Sequence, residues 1–443
     1  MSAFQTSTIV ALASAAGKAG VAVIRLSGPH AREALLKIGI PSELPSPRKV
    51  SLRDLVDDRT KELIDHALVV FFPAPHSFTG EDVVELHVHG GRSIIYSVVE
   101  QLCTYPGIRP AEPGEFSRRA YENGKMDLTE AEGIADLVDA ETAAQRRQAL
   151  RQMDGELGRL YTGWAERLTH NLAYIEAEID FADEEIPSDI SEGRRESIAQ
   201  LAQEIDKHLN DNHRGERLRE GFTVALLGAP NAGKSSLLNA LARREAAIVS
   251  PLPGTTRDII EVQLDLGGYP VTLADTAGLR ETADAIESEG VRRALARAEQ
   301  ADLKILVFDG SVSSPADETT LSLIDDSALL VINKSDLASF KIQEPSLPVS
   351  AQTGEGLETL IQKLIEEIEK RFTGNAGPAL TRVRHRVALQ ECQDHLRRAL
   401  AAPQIELCAE DLRLAVRALG RITGTVDVEE LLDVIFSSFC IGK

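Results

Sequence analysis

Apolar and polar positions change period along this chain. Gly20-Val-Ala-Val-Ile-Arg-Leu-Ser-Gly28 reads as a strand that ends in a turn, and Pro29 opens a helix through about Ile38. His66 to Phe72 and Asp82 to His89 read as further strands, whereas Ser93 to Tyr105 is apolar at helical spacing. The pattern up to about residue 120 predicts an α+β unit.

From Met126 onward, Asp127-Leu-Thr-Glu-Ala-Glu begins a stretch with no proline until Pro187. Leucine, isoleucine and alanine recur there at helical intervals with charges between them, which predicts a helical domain. The acidic run Asp183-Glu-Glu185 reads as a solvated loop. Phe222 to Leu227, Val271 to Ala274 and Leu329 to Ile332 are short apolar strands, and Ser235 to Arg243 is a helix. After Ala379 the helical texture returns. The polar segments Asp211-Asn-His-Arg-Gly-Glu and Thr373-Gly-Asn-Ala-Gly-Pro378 read as boundaries. The expected domains are 1–120, 121–218, 219–375 and 376–443, with the third inserted between two halves of one helical domain.

Length and charge narrow the classes. A chain of 443 residues exceeds one core and suggests two to four domains. A formal charge of −21 argues against a broad sequence-independent nucleic-acid footprint. Cys103, Cys392, Cys408 and Cys440 show no zinc-like or Cys-x-x-Cys spacing and read as reduced thiols. Neither a secretory leader nor an apolar run long enough to span a bilayer is evident, so a cytoplasmic protein without a membrane partner is expected.

Five nucleotide signatures stand in order within the third segment. The first is Gly228-Ala-Pro-Asn-Ala-Gly-Lys-Ser235, between a strand and a helix. Gly228 and Gly233 let backbone N–H groups wrap phosphates, Lys234 faces the β- and γ-phosphates, and Ser235 offers a hydroxyl to Mg²⁺. In Gly254-Thr-Thr-Arg-Asp258, Thr256 completes the Mg²⁺ shell when GTP is bound. Asp275-Thr-Ala-Gly278 brings Asp275 to Mg²⁺ through water and the Gly278 amide to the γ-phosphate. In Asn333-Lys-Ser-Asp336 the Asp336 carboxylate accepts the guanine N1–H and 2-amino hydrogens, which adenine lacks. Ser350-Ala351 closes the series. The module is a GTPase.

It departs from Ras-type enzymes in two ways. Leu279 stands where the water-orienting glutamine is expected, leaving Glu281, Asp284, Glu287 and Glu289 as candidates for that task. No arginine finger is identifiable, and the Asn231 side-chain carbonyl suits a monovalent cation that offsets developing charge beside the phosphates.

Across essentially all of its length the chain resembles the MnmE/TrmE family of tRNA-modification GTPases. The marks are Thr79-Gly-Glu-Asp82, Gly114-Glu-Phe116, Asn123-Gly-Lys125, the GTPase set, and Phe439-Cys-Ile-Gly-Lys443 following Ile435-Phe-Ser-Ser438. The resemblance implies an α+β folate-binding and dimerisation domain, then a helical domain interrupted by a Ras-like P-loop GTPase. It implies a homodimer that works with the flavoprotein MnmG (GidA), as a heterotetramer, on tRNA. The product implied is 5-carboxymethylaminomethyl or aminomethyl uridine at the wobble position, with the one-carbon unit taken from a 5,10-methylene or 5-formyl tetrahydrofolate derivative.

By matched position, Glu287 is the implied general base. Asn231, with the backbone oxygens of Ser250, Leu252 and Thr255, is the implied K⁺ set, and Ser235 with Thr256 the implied Mg²⁺ set. Nucleotide contacts are implied for Asn231, Ala232, Gly233, Lys234, Ser235 and Ser236, and for Ser250, Pro251, Leu252, Pro253, Gly254, Thr255 and Thr256. They are implied also for Asp275, Thr276, Ala277 and Gly278, for Asn333, Lys334 and Asp336, and for Ser350, Ala351 and Gln352. Arg25, Glu85, Lys125 and Lys443 match folate positions, and Cys440 is either a buried thiol or a functional one near the folate. Glu85, His87 and His89 alternate on one strand face, a spacing that also suits a metal, although the family implies none. Two other functions fit parts of the pattern. An Era-type ribosome-assembly switch accounts for the GTPase but has neither the N-terminal domain nor the Cys-Ile-Gly-Lys end. A folate-dependent methyltransferase with a regulatory GTPase would keep modifying tRNA when Lys234 or Glu287 is replaced.

Overall fold

The computed structural model describes residues 7–40, 43–180, 188–244, 260–275, 301–312, 318–338, 345–372, 377–426 and 428–442. The chain forms two compact units, one of residues 1–135, 152–167 and 416–443, the other of residues 136–151 and 168–415.

In the first unit, strands β1 (Thr8–Leu12), β2 (Ala19–Ser27), β3 (Gly39–Ile40), β4 (Ser51–Val56), β5 (Leu63–Phe72), β6 (Val83–Gly90) and β7 (Ile108–Pro110) make one sheet. Its order is β3-β4-β5-β6-β2-β1-β7, antiparallel except for the β1–β7 pair. The two-residue side-chain period decides its faces. Ala22, Ile24 and Leu26 of β2 pair with Val88, Leu86 and Val84 of β6, and all six are buried in a core shared with the helices Ala31–Ile38 and Arg92–Cys103. The residues between them face the other way, so Arg25 stands opposite Glu85 and Val23 opposite His87. On that second face Ile9, Ala11, Ala111 and Phe116 form a small cluster with Phe78 against it. The helices Glu115–Glu122 and Glu429–Ser437 pack together through a further cluster that includes Leu128, Phe436 and Phe439. The proline-free stretch is helical, as its spacing predicts. It breaks into Leu128–Asp139, Ala143–Met153 and Glu156–Asp180, the second break falling at Gly155, whose φ is 80°.

The second unit joins helices to a six-stranded sheet. Strands β8 (Phe222–Leu227), β9 (Ile260–Leu266), β10 (Tyr269–Asp275), β11 (Leu303–Asp309), β12 (Ala328–Asn333) and β13 (Leu347–Pro348) lie in the order β13-β12-β11-β8-β10-β9. All pairs are parallel except β9 with β10. Both faces are buried, as a parallel sheet requires. Phe222, Val224, Leu226, Ile305 and Val307 face one core, with Leu360, Ile361 and Leu364 of the helix Leu357–Phe372. Ala225, Leu227, Leu306, Phe308 and Ile332 face the other. The central strand β8 has β10 on one side and β11 on the other, so strand order reverses at its carboxyl end. Doubly wound sheets bind ligands at such a point.

The helices Ser188–Leu209 and Val383–Ala401, which precede and follow this sheet in sequence, pack on each other. The sheet is therefore an insertion whose entry and exit lie together. Arg386 fastens them: its guanidinium donates to Glu216 Oε1 at 3.1 Å, Leu209 O at 2.7 Å and Asp211 Oδ1 at 2.8 Å. The polar segment 211–216 is only partly a loop, because Arg214–Glu220 is a short helix. The run Asp183–Glu185 lies outside the described residues.

Candidate functional site

The expected P-loop leaves β8 and enters the helix Lys234–Arg244 at the reversal point. Gly233 has φ 91°, and a Cβ there would lie 2.2 Å from Asn333 Nδ2, so only glycine fits. Asn231 adopts φ 63°, a left-handed conformation that asparagine tolerates better than most residues. Lys234 is 6% exposed, and its Nζ donates to Gly228 O at 2.8 Å and Ala229 O at 2.9 Å. The loop thus encloses the ammonium, while Ser235 and Ser236 are exposed on the first turn of the helix. Helix N–H groups, the end of the macrodipole and a lysine together favour a bound polyphosphate.

Asn333 does more than end a strand. With Asn333 only 1% exposed, its Nδ2 donates to Ala232 O at 3.0 Å, and its Oδ1 accepts the Ala351 N–H at 3.1 Å. One side-chain amide thereby knits the P-loop, the Asn333–Asp336 loop and the Ser350–Ala351 loop. Aspartate could not replace it, since both a donor and an acceptor are used. Ser350 is fully buried and its Oγ accepts the Thr353 N–H at 3.1 Å. The Asp336 carboxylate and Gln352 are exposed on the same edge. Lys334, at φ 58°, places its Nζ 2.6 Å from Asp309 Oδ2, a partner that sequence reasoning missed because nothing in its local sequence links it to Lys334.

Asp275 ends β10, level with Leu226 of β8, so its backbone stands beside the P-loop strand. Ser250, Pro251, Leu252, Pro253, Gly254, Thr255 and Thr256 lie outside the described residues. So do Thr276, Ala277, Gly278, the four acidic candidates including Glu287, and Lys443.

A second polar site occupies the open face of the N-terminal sheet. Arg25 Nε donates to Glu85 Oε1 at 3.0 Å, and the guanidinium lies 5.6 Å from the Phe78 ring centre and 5.7 Å from that of Phe116. The C-terminal tail comes to the same place. Arg25 Nη1 donates to Gly442 O at 3.4 Å, Pro113 bridges Ile441, and a Cβ on Gly442 would lie 2.3 Å from Leu12 O. Cys440 beside it is exposed. Lys125 reaches Pro75 O at 3.1 Å.

Other residues of the family marks brace this site. Ser27 Oγ stands 2.6 Å from Thr79 Oγ1 and from Glu81 Oε2, and Arg119 Nη2 donates to Glu115 Oε1 at 3.0 Å and its Nη1 to Glu81 Oε2 at 3.2 Å. Asn123 Nδ2 donates to Thr79 O at 2.7 Å. Burial alone raises the Glu115 carboxyl, but Arg109, the Glu112 N–H and Arg119 outweigh it and hold it below the usual carboxylate range. Of the alternating trio, Glu85 pairs with Arg25 and lies 3.4 Å from His87 Nε2, whereas His89 turns to Asp65 at 2.7 Å. Among the described residues no group of three His, Cys, Asp or Glu is arranged to hold a metal, and no helix is long and apolar enough to cross a membrane.

Comparison with known proteins agrees with this arrangement. The family model of the GTP-binding protein TrmE N-terminus matches residues 8–125, and that of the MnmE helical domain matches residues 128–440. The tRNA modification GTPase MnmE of Parvibaculum lavamentivorans is 57% identical over 440 residues, covering 98% of this chain and 100% of that protein. That of Paramagnetospirillum magneticum is 57% identical over 442 residues, covering 98% and 99%. The mitochondrial 5-taurinomethyluridine-[tRNA] synthase subunit of Homo sapiens is 49% identical over 459 residues, covering 98% and 93%. With the P-loop at a strand-order reversal, its three loops knit by one asparagine, and near-full-length identity to these relatives, the chain belongs to the MnmE/TrmE family of tRNA modification GTPases and is a GTP hydrolase.

Proposed function

We propose that this chain hydrolyses GTP with K⁺ beside the phosphates and, with the flavoprotein MnmG, uses that turnover to build 5-carboxymethylaminomethyl or aminomethyl uridine at the tRNA wobble position. The observation that carries the reading is the meeting of the C-terminal tail with Arg25, itself paired with Glu85, because a GTPase acting alone has no use for it. An ion pair flanked by Phe78 and Phe116 suits a flat heteroaromatic ring with polar edges and an anionic tail, as a folate has. When bound, the folate derivative supplies the one-carbon unit. Arg25 and Glu85 would orient it, and Lys125 and Lys443 would meet its carboxylates. The human relative's name adds support, since 5-taurinomethyluridine also carries its group on C5.

In the nucleotide site, Lys234 and the helix N-terminus hold phosphate, and Ser235, Thr256 and Asp275 suit Mg²⁺. The exposed Asn231 in its left-handed turn suits K⁺, with the backbone oxygens of Ser250, Leu252 and Thr255 completing the set. Glu287 is assigned the attacking water by its matched position in the family, a task for which the Leu279 side chain has no polar atom. A homodimer through the N-terminal sheet is supported by the apolar stripe on its open face, where Leu52 and Leu68 are register partners, 65% and 47% exposed.

GTP turnover measured in K⁺ and in Na⁺, for the wild type and Glu287→Ala, tests the hydrolysis reading. Fast turnover in K⁺ alone and its collapse in the variant are expected, and equal rates in both salts would overturn the cation assignment. Wobble nucleosides from a deletion strain complemented with Arg25→Ala test the folate site. Normal modification in that strain would remove Arg25 from the chemistry.

A further inference from the structure

Strands β11 and β12 run in parallel, and their last residues, Asp309 and Asn333, are register partners. Beyond them the chains stay joined, since the Gly310 N–H donates to Asn333 O at 2.8 Å. The Asp309 carboxylate is oriented from one side: Oδ1 accepts the Ser311 N–H at 2.9 Å and the Ser311 hydroxyl at 2.6 Å. That leaves Oδ2 for Lys334 Nζ at 2.6 Å. Lys334 is the residue between the buried Asn333 and the Ser335–Leu337 turn that carries Asp336, and its backbone is left-handed, with φ 58°, a conformation that crowds its Cβ against the following carbonyl.

We infer that Asp309 is a positioning residue for guanine recognition. It draws the Lys334 ammonium to the end of β11, so that the methylene stem lies along the base loop and the charge is neutralised away from the base. The inference rests on reading Asn333–Asp336 as the guanine loop. Its physical content is a division of labour. Asp336 supplies specificity through hydrogen bonds, Asn333 fixes the loop to the P-loop, and Asp309 makes a long flexible cation into an apolar wall. An unanchored lysine has many rotamers, and each bound nucleotide would have to order it. Burial raises the Asp309 carboxyl, yet Lys334 and Ser311 more than offset this and hold it below its ordinary range, so the carboxylate is ionised at neutral pH.

The test is a double-mutant cycle on release of fluorescent GDP from the full chain, using Asp309→Asn, Lys334→Met and both together. Lys334→Met keeps an unbranched apolar stem and removes the charge. A charge-assisted bond of this partly exposed kind predicts release about fivefold to thirtyfold faster in Asp309→Asn, with the loss falling on KM for GTP more than on kcat. In the Lys334→Met background the same change should have almost no effect. An equal acceleration in both backgrounds, or none in the wild-type background, overturns the role of Asp309. If Asp309→Asn does not fold, Ser311→Ala, which removes only a bond that orients the carboxylate, should give a smaller change in the same direction and the same loss of coupling. Failure of the wild type to bind fluorescent GDP would instead overturn the guanine-loop reading on which the inference rests.

Discussion

Arg386→Met tests whether the inserted sheet is held by one guanidinium. Arg386 is 10% exposed, and its partners Glu216 and Asp211 are 8% and 14% exposed. Methionine fills similar space but donates nothing, so two carboxylates and the Leu209 carbonyl lose their main donor while staying largely shielded from water. Removing one partner of a buried charge cluster costs about 3–5 kcal/mol. For a unit of this size that corresponds to a fall in Tm of about 10 °C. The penalty should depend on pH, and its sign follows from Glu216. Burial raises that carboxyl, but Arg386 and His213 together hold it below its ordinary value of 4.5 in the folded protein. The stabilisation is therefore present above 4.5 and lost as pH falls through the lowered folded value. Thermal unfolding of both proteins by far-UV circular dichroism, repeated from neutral pH downward, should show the gap closing in acid. A variant within about 1 kcal/mol of wild type at neutral pH would refute the argument, as that is the scale of an exposed ion pair. A gap that stays constant in acid would refute the electrostatic cause.

Three further outcomes follow from the geometry. Gly233→Ala puts a methyl 2.2 Å from Asn333 Nδ2 at φ 91°, so affinity for fluorescent GDP should fall at least about tenfold, and unchanged affinity would show that the loop yields easily. Burial pushes His208 down from 6.5 to about 4, so its imidazole stays neutral when folded. Its contribution is complete above 6.5 and is lost as pH falls from 6.5 toward about 4; His208→Gln should flatten the stability profile in that window, and an unaltered slope would count against it. Gly442→Ala places a methyl 2.3 Å from Leu12 O at φ 97°, so the tail should leave the sheet and be trimmed faster by carboxypeptidase than in wild type. Equal trimming would show that the tail is not seated as described.

Local signals were legible where chemistry and backbone needs coincide. The P-loop strand, loop and helix were placed from glycine spacing and period, and the structure shifts the helix start by one residue, to Lys234. The strand from His66 proved to begin at Leu63, because the cross-strand pairing of β4 extends it. Strand β4 itself was not read: its exposed Leu52 and half-buried neighbours blur the alternation. The helical texture after Met126 was read, but not where its helices break. The residues around Asp154-Gly155 carry no proline, and a lone glycine within a helical pattern is weak evidence of a stop.

By itself the sequence determined the GTPase, its order of loops, the insertion between helical segments and the family. These rest on short-range spacing, which the chain carries whether folded or not. Only the tertiary structure decided which residues act together. Arg25 and Glu85 are 60 positions apart and become neighbours through the β2–β6 register, while Gly442 arrives from 417 positions away. Asn333 could be read as the end of a motif but not as the knot of three loops, and Asp309 carried no signal until two parallel strands ended level with each other. Such pairings depend on strand order and register, which follow from burying both faces of a sheet at once, and no local window of sequence contains that constraint.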